Sequence, residues 1–138
     1  MKLALTFLWL GDGWDSVKMP EIAGVAALNN TFFSSLYSPD DASDLNKEFV
    51  AAYKKAYNET PDVFAAMAYD SALLVAEAIK AAGGPDTAKM AEAMAKVHEL
   101  PGVSGKYTFN AQHDPVKSAV IIEYKEGKQM FKTKVDPK

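Results

Sequence analysis

The chain has 138 residues, 49% of them hydrophobic and 24% charged, the size and balance of one globular domain with enough apolar material for a core. Its net charge of -3 and pI near 5.3 argue against an electrostatic nucleic-acid binder, which needs a basic face to displace counterions from phosphates. The absence of cysteine excludes disulfide frameworks, thiolate metal sites and cysteine nucleophiles.

In chain order, Met1 and Lys2 precede the apolar run LALTFLWL. The run imitates the front of a secretory signal, but GDGWDS follows it rather than a small-residue cleavage site. It is also far short of the roughly 20 apolar residues that span a bilayer. Residues 3–10 therefore read as a buried strand, with no signal peptide expected. The glycines of Gly11-Asp12-Gly13-Trp14-Asp15-Ser16 allow a sharp turn. Asp15 or Ser16 then caps a helix running to about Leu28, with Pro20 tolerated in an early turn. Asn29 and Asn30 make the next turn, and the β-branched and aromatic residues of 31–37 predict a second strand. SPDDASD opens a helix whose acidic first turn suits the macrodipole. Phe49, Val50, Ala52, Tyr53, Ala56 and Tyr57 give it an apolar face, and it ends near Asn58.

The longest predicted element is a helix over 62–83. Pro61 ends what precedes it, Asp62 caps its free N–H groups, and Gly83-Gly84-Pro85 terminates it. Between Val63 and Ala76 almost every side is apolar, so this helix is expected to be covered on more than one side and to reach water near Glu77 and Lys80. Its many alanines let other elements approach closely. Asp86 or Thr87 caps a shorter helix ending near His98. Residues 100–105 read as a connector, 106–110 as a short strand closed by AQHDP, and 118–124 as a buried strand. Lys125-Glu126-Gly127-Lys128 turns into a last strand, where Phe131, Thr133 and Val135 alternate with Lys132 and Lys134 as on a one-sided edge. The class is α/β, with about five short strands and four helices, an awkward inventory for a self-contained doubly wound sheet.

Three blocks, LWLGDGWDS, FVAAYKKAYNETPDVFAAMAYDSALLVAEAIKAAG and LPGVSGKYTFNAQHDPVKSAVIIEYKEGKQMF, together resemble the C-terminal part of a branched-chain amino acid (Leu/Ile/Val)-type ABC transporter substrate-binding protein. This is the type I periplasmic binding protein family, and the blocks stand in its order with similar spacing. The resemblance implies two α/β lobes joined by three crossover strands, closing on an amino acid or similar small ligand and delivering it to an ABC permease. It also implies a periplasmic or other extracytoplasmic location. The family's chains are more than twice as long. By resemblance, residues 1–30 are a strand, loop and helix of the C-terminal lobe, and 31–105 are a crossover strand with helices of the N-terminal lobe. Residues 106–138 cross back to the C-terminal lobe's hairpin. Such a truncated chain holds pieces of both lobes and all of neither, so a swapped or intertwined homo-oligomer is expected to cover its apolar helix.

Asp12 lies between two glycines at the end of a strand, where ligands of open α/β sheets bind, and its carboxylate suits a ligand ammonium. On the residues alone an ordinary turn aspartate is the stronger reading. In the resembled family an acidic residue of the equivalent loop binds the α-amino group, which makes Asp12 the first ligand contact, with Gly11, Gly13 and Trp14 beside it. Trp14 is equally suited to core packing. GDG is no phosphate loop, since the aspartate repels phosphate and no Lys-Ser/Thr follows. Tyr69-Asp70 is a hallmark of the family, and Asp70 reads as a structural aspartate bonded to backbone or to a tyrosine.

His98 and His113 lie in connectors without metal-ligand spacing, SPDDASD lacks the pattern of a calcium loop, and no cofactor is expected. Asn29-Asn30-Thr31 and Asn58-Glu59-Thr60 match a glycosylation acceptor pattern that is common by chance. Lys125, Lys128, Lys132 and Lys134 read as a solvated edge. Ser104 sits in GVSG rather than a nucleophile elbow and has no evident histidine partner, so no enzyme is expected. Two functions remain: a solute-binding module, for transport or for ligand sensing on the same fold, and a self-associating fragment without ligand function.

Overall fold

A computed structural model describes residues 8–137, in which the chain alternates between two sheets. β1 (Leu8–Leu10) leads through a short 3-10 turn (Asp12–Trp14) to α1 (Met19–Ala23), α2 (Val25–Leu28) and β2 (Thr31–Ser35). Three helices follow: α3 (Asp44–Tyr57), α4 (Val63–Ala82) and α5 (Thr87–Ala95). β3 (Leu100–Gly102), β4 (Gly105–Phe109) and β5 (Pro115–Val116) come next, then β6 (Ala119–Lys125) and β7 (Lys128–Val135). A four-stranded sheet has the order β1-β2-β6-β7, and a three-stranded sheet the order β3-β4-β5. β1 and β2 are parallel, while β2 with β6 and β6 with β7 are antiparallel. The chain passes between the sheets twice, over residues 36–43 and again at 117–118.

Each half has its own core. Leu28, Phe33, Val120, Ile122 and Tyr124 are buried together against the four-stranded sheet, with Trp14, Met19 and Phe131 packed on them. Alternation along β2 and β6 supplies these side chains, since residues two apart share a face. In the other half Tyr37, Phe49, Ala66 and Val103 are buried together. The helices are set by their ends. The Asp62 carboxylate accepts the Ala65 N–H at 2.8 Å, and Gly83 closes α4 at φ 74°. Asn58 ends α3 at φ 55°, a conformation that Asn tolerates better than most residues.

The structure corrects several expectations. The helix expected from Asp15 or Ser16 to Leu28 is broken in two by Gly24 at φ 82°, and neither residue is its N-cap, a position held by Lys18. The connector expected over 100–105 contains β3, which pairs with β4. Pro101 is tolerated there because β3 is an edge strand and needs no inward N–H. The turn AQHDP runs into β5, a two-residue strand. The strand expected over 3–10 is described only from Leu8; residues 3–7 lie outside the described residues.

The alternation expected in β7 fails at Thr133. Ile122 pairs with Phe131 but Ile121 pairs with Thr133, so Lys132 is the extra residue of a β-bulge, which re-aims all that follows. Lys134 consequently lies opposite Val120 and forms an ion pair with Asp41. Burial pushes the Asp41 carboxyl up, but the Lys134 and Ser43 contacts outweigh it and hold the carboxyl below its usual range. Lys132 pairs with Glu123 at 2.9 Å and lies over the Phe32 ring, so neither lysine is merely solvated.

The central helix meets expectation only in part. α4 fully buries Ala66, Asp70 and Ala78; α5 and β3 lie against it, and α3 packs on it as well, with Phe49 and Ala66 in one buried cluster and the Phe49 and Tyr69 rings 4.9 Å apart. Phe64 is 76% exposed, with Tyr69 and Val75 also facing out. Helices and a strand thus cover it on more than one side, as expected, but the cover is incomplete among the described residues.

Candidate functional site

The Gly11–Ser16 loop leaves the C-terminal end of β1. Its turn is closed by Trp14 N–H to Gly11 O (3.3 Å) and Asp15 N–H to Asp12 O (2.9 Å). From below, the Tyr124 hydroxyl lies within hydrogen-bond distance of the Trp14 and Ser16 carbonyls, at 3.1 and 3.0 Å. Gly11, Asp12 and Gly13 are exposed on the tip of this loop. Trp14 is half-buried and packs on the core of the four-stranded half.

Beside the loop, where the two halves meet, lies a cavity of about 330 Å³. Its walls include Asp15, Val17 and Gln129 from one half and Tyr37, Pro61 and Phe64 from the other. The lining does not include Gly11, Asp12, Gly13 or Trp14. Sequence reasoning placed the candidate carboxylate at Asp12; the structure adds Asp15, three residues on. Its Oδ2 accepts the Ser35 hydroxyl at 2.6 Å. That partner is twenty residues away, on β2, so no local pattern could have revealed it.

Burial raises the Asp15 carboxyl above its ordinary value. Hydrogen bonds from Ser35 and Gln129 pull it back, and the nearby Asp62 charge pushes it up. A carboxyl raised in the folded state disfavours folding at any pH where it is ionised, because the folded chain then holds its proton more tightly than the unfolded one. Replacing Asp15 by Asn, whose amide oxygen can still accept the Ser35 hydroxyl, is therefore expected to raise the melting temperature at pH 7. The gain should fade as pH falls through the raised carboxyl and below 3.8, which thermal melts of both proteins across that range would show.

At the centre of the second half's polar cluster is Asp70. Its carboxylate accepts the Val103 N–H (2.7 Å), the Ser104 N–H (3.0 Å), the Ser104 hydroxyl (2.6 Å) and the Tyr107 hydroxyl (2.7 Å). This bears out the structural reading, with both backbone and a tyrosine as partners. Four donors satisfy a buried carboxylate without a full ion pair. Lys117 adds a cation at the edge of the cluster: its Nζ donates to Ser104 Oγ at 2.6 Å and to the Leu36 carbonyl at 3.1 Å. Burial brings the Lys117 ammonium down to about 8, against the pull of Asp70, and burial likewise pushes the Tyr107 hydroxyl up. Ser104 thus has a lysine neighbour but is buried and bonded to a carboxylate, an arrangement that fixes a hairpin rather than frees a nucleophile.

His98 and His113 are both exposed, and the described residues contain no group of three or more metal-ligating side chains. No described helix is long and apolar enough to cross a membrane.

The family model for periplasmic binding proteins matches residues 5–129, and the chain belongs to that family. A Leu/Ile/Val-binding protein homologue of Brucella abortus is 31% identical over 121 residues, covering 85% of this chain and 31% of the relative. Among solved structures, the leucine-binding protein LivK of Thermotoga maritima superposes with a TM-score of 0.84 at 32% identity, covering 95% of this chain and 37% of that one. The branched-chain amino acid transporter substrate-binding protein LivJ of Streptococcus pneumoniae, solved in complex with isoleucine, gives a TM-score of 0.80 at 35% identity, covering 94% and 37%. The chain thus spans about a third of the length of the relatives it matches. These relatives are solute-binding proteins, not enzymes.

Proposed function

We propose that this chain is part of an extracytoplasmic solute-binding protein that delivers an amino acid, or a similar small molecule, to an ABC-type membrane permease. The observation that carries the reading is its similarity, over nearly its whole described length, to a binding protein solved with isoleucine. A cavity with a carboxylate wall at the junction of the halves is in keeping with it. On this reading residues 1–30 and 106–138 serve one lobe, with the crossing at 106–110, and 31–105 supply a crossing and the helices of the other.

In that arrangement the exposed Asp12 carboxylate accepts from the ligand's ammonium, an interaction strengthened by the charge on both partners. Gly11 and Gly13, where a side chain would meet nothing within 4 Å beyond the adjacent residues, leave room for the ligand to approach. Trp14 steadies the loop from the core side. The test is the melting temperature with leucine, isoleucine or valine added, measured with light scattering on the same samples. Ligand that binds only the folded chain raises its melting temperature. Asp12→Ala is expected to abolish the rise, and an undiminished rise would remove Asp12 from the site.

A second reading is self-association through apolar surface, as a swapped or intertwined oligomer. It is favoured by the exposure of Val17 (82%), Ile22 (76%) and Phe64 (76%), more than single scattered apolar side chains require. A defined oligomer with no response to any amino acid would support it, and a compact monomer would end it.

A further inference from the structure

Both passages between the sheets converge on one side chain. Lys117 lies on the second passage, between β5 and β6. Its Nζ reaches back to the Leu36 carbonyl on the first passage (3.1 Å) and across to Ser104 Oγ in the β3–β4 turn (2.6 Å). The Tyr107 ring lies beneath the ammonium, 4.9 Å from its centroid. Ser104 and Tyr107 are in turn bound to Asp70 of α4.

One ammonium therefore connects the segment leaving β2, the segment entering β6, the hairpin and the long helix. Leu36 is followed directly by Tyr37, which lines the cavity between the halves. Where two packed bodies are joined by short segments, the dihedral angles of those segments set how the bodies face each other.

We propose that Lys117 is a positioning residue, a pin that holds the two passages together and so fixes the placement of the four-stranded half against the helical half. Ser104 and Tyr107 anchor the pin, and the Leu36 carbonyl is what it holds. The ion pair at the far end of β7 is a tie of a different kind. Asp41 with Lys134 joins the first passage to the far end of β7. Of the two, Lys117 is the one that joins one passage to the other. The inference stands on this geometry and does not depend on which ligand, if any, is bound.

The chain has no cysteine, so two introduced cysteines can carry spin labels without background. Exposed Glu92 on α5 and exposed Lys125 at the end of β6 report on the two halves. With Glu92→Cys and Lys125→Cys, the unmodified pin should give one narrow distance distribution by pulsed dipolar spectroscopy. Lys117→Met keeps most of the apolar stem and removes the donors; it should broaden that distribution about twofold, as expected when a hinge is freed. Lys117→Arg, which can still donate to both oxygens, should restore the narrow distribution. A Lys117→Met protein that is less stable yet as narrow as the parent would overturn the proposal, since a stability role alone would do that. Should Lys117→Met fail to fold, the parent decides the matter: the Lys117 ammonium should exchange its protons with water far more slowly than the exposed Lys125 by nitrogen-15 NMR, and equally fast exchange would refute the pin.

Discussion

Replacing Asp70 by alanine is expected to cost the fold about 3–5 kcal/mol, because each buried donor left without an acceptor costs roughly 1–3 kcal/mol and the losses within one cluster overlap. The chain is small, and a loss of that size is a large fraction of the stability of such a domain. Two of the four donors are backbone N–H groups, Val103 and Ser104, which cannot rotate away to find water. The other two are the hydroxyls of Ser104 and Tyr107, themselves in contact at 2.5 Å, which would be left to bond with each other. Lys117 would lose the nearby charge that offsets its burial. The measurement is urea denaturation followed by circular dichroism: the midpoint should fall sharply, or the variant should be unfolded without denaturant. A midpoint within experimental error of the parent would contradict the role assigned to the cluster.

Gly102→Ala should be nearly as damaging, at about 3 kcal/mol, the upper end of what overpacking a well-filled interior costs. The added methyl would lie 2.6 Å from Asp70 Oδ1, 2.7 Å from Asp70 Cγ and 2.7 Å from Tyr107 Cε2. None of these atoms ends a flexible side chain free to swing aside, since both residues are held in the cluster just described. The glycine is required here by close approach rather than by its backbone angles. Because Asp70 is the main obstacle, the two substitutions should be strongly non-additive. In the Asp70→Ala background, provided that it folds in a stabilising osmolyte, Gly102→Ala should cost much less than in the parent. Equal costs in the two backgrounds would mean that the clash is relieved by backbone movement instead.

These two predictions also mark the boundary of what local sequence conveys. The bounds of α4 were legible because their causes are adjacent in the chain: Asp62 accepts from a residue three positions on, and Gly83 takes the left-handed angle that stops the helix. Asn58 and the turn before Lys128 were legible for the same reason. Asp70 was recognisable as structural, because an aspartate among apolar residues needs partners, but those partners lie 33 to 37 residues downstream and nothing nearby identifies them. Pro101 and Gly102 concealed β3, since both discourage strands in general and are accommodated here by an edge and by a carboxylate. Gly24 lies inside the helix expected to reach Leu28 and is a break. At the site, Asp12 stood out through its flanking glycines, whereas Asp15 passed for a helix cap until its Ser35 partner on the neighbouring strand was visible. The uncovered side of α4 is equally invisible locally, because a run of apolar residues states what could be buried and not what is there to bury it.

The extra residue at Lys132 carries a consequence for how β7 tolerates change in length. Before it, the strand keeps step with its own sheet, putting Phe131 on the core of that half; after it, the strand is in the opposite phase and Lys134 meets Asp41. β7 is therefore two short rulers of opposite parity laid end to end, one measuring its own sheet and the other the loop that leads into α3. Substitutions along it act one residue at a time, but loss of a single residue at the join would restore a common parity, exchanging Lys134 for its neighbours and unfastening the far end of the strand from the helical half. The strand can accept a change of side chain far more readily than a change in its count.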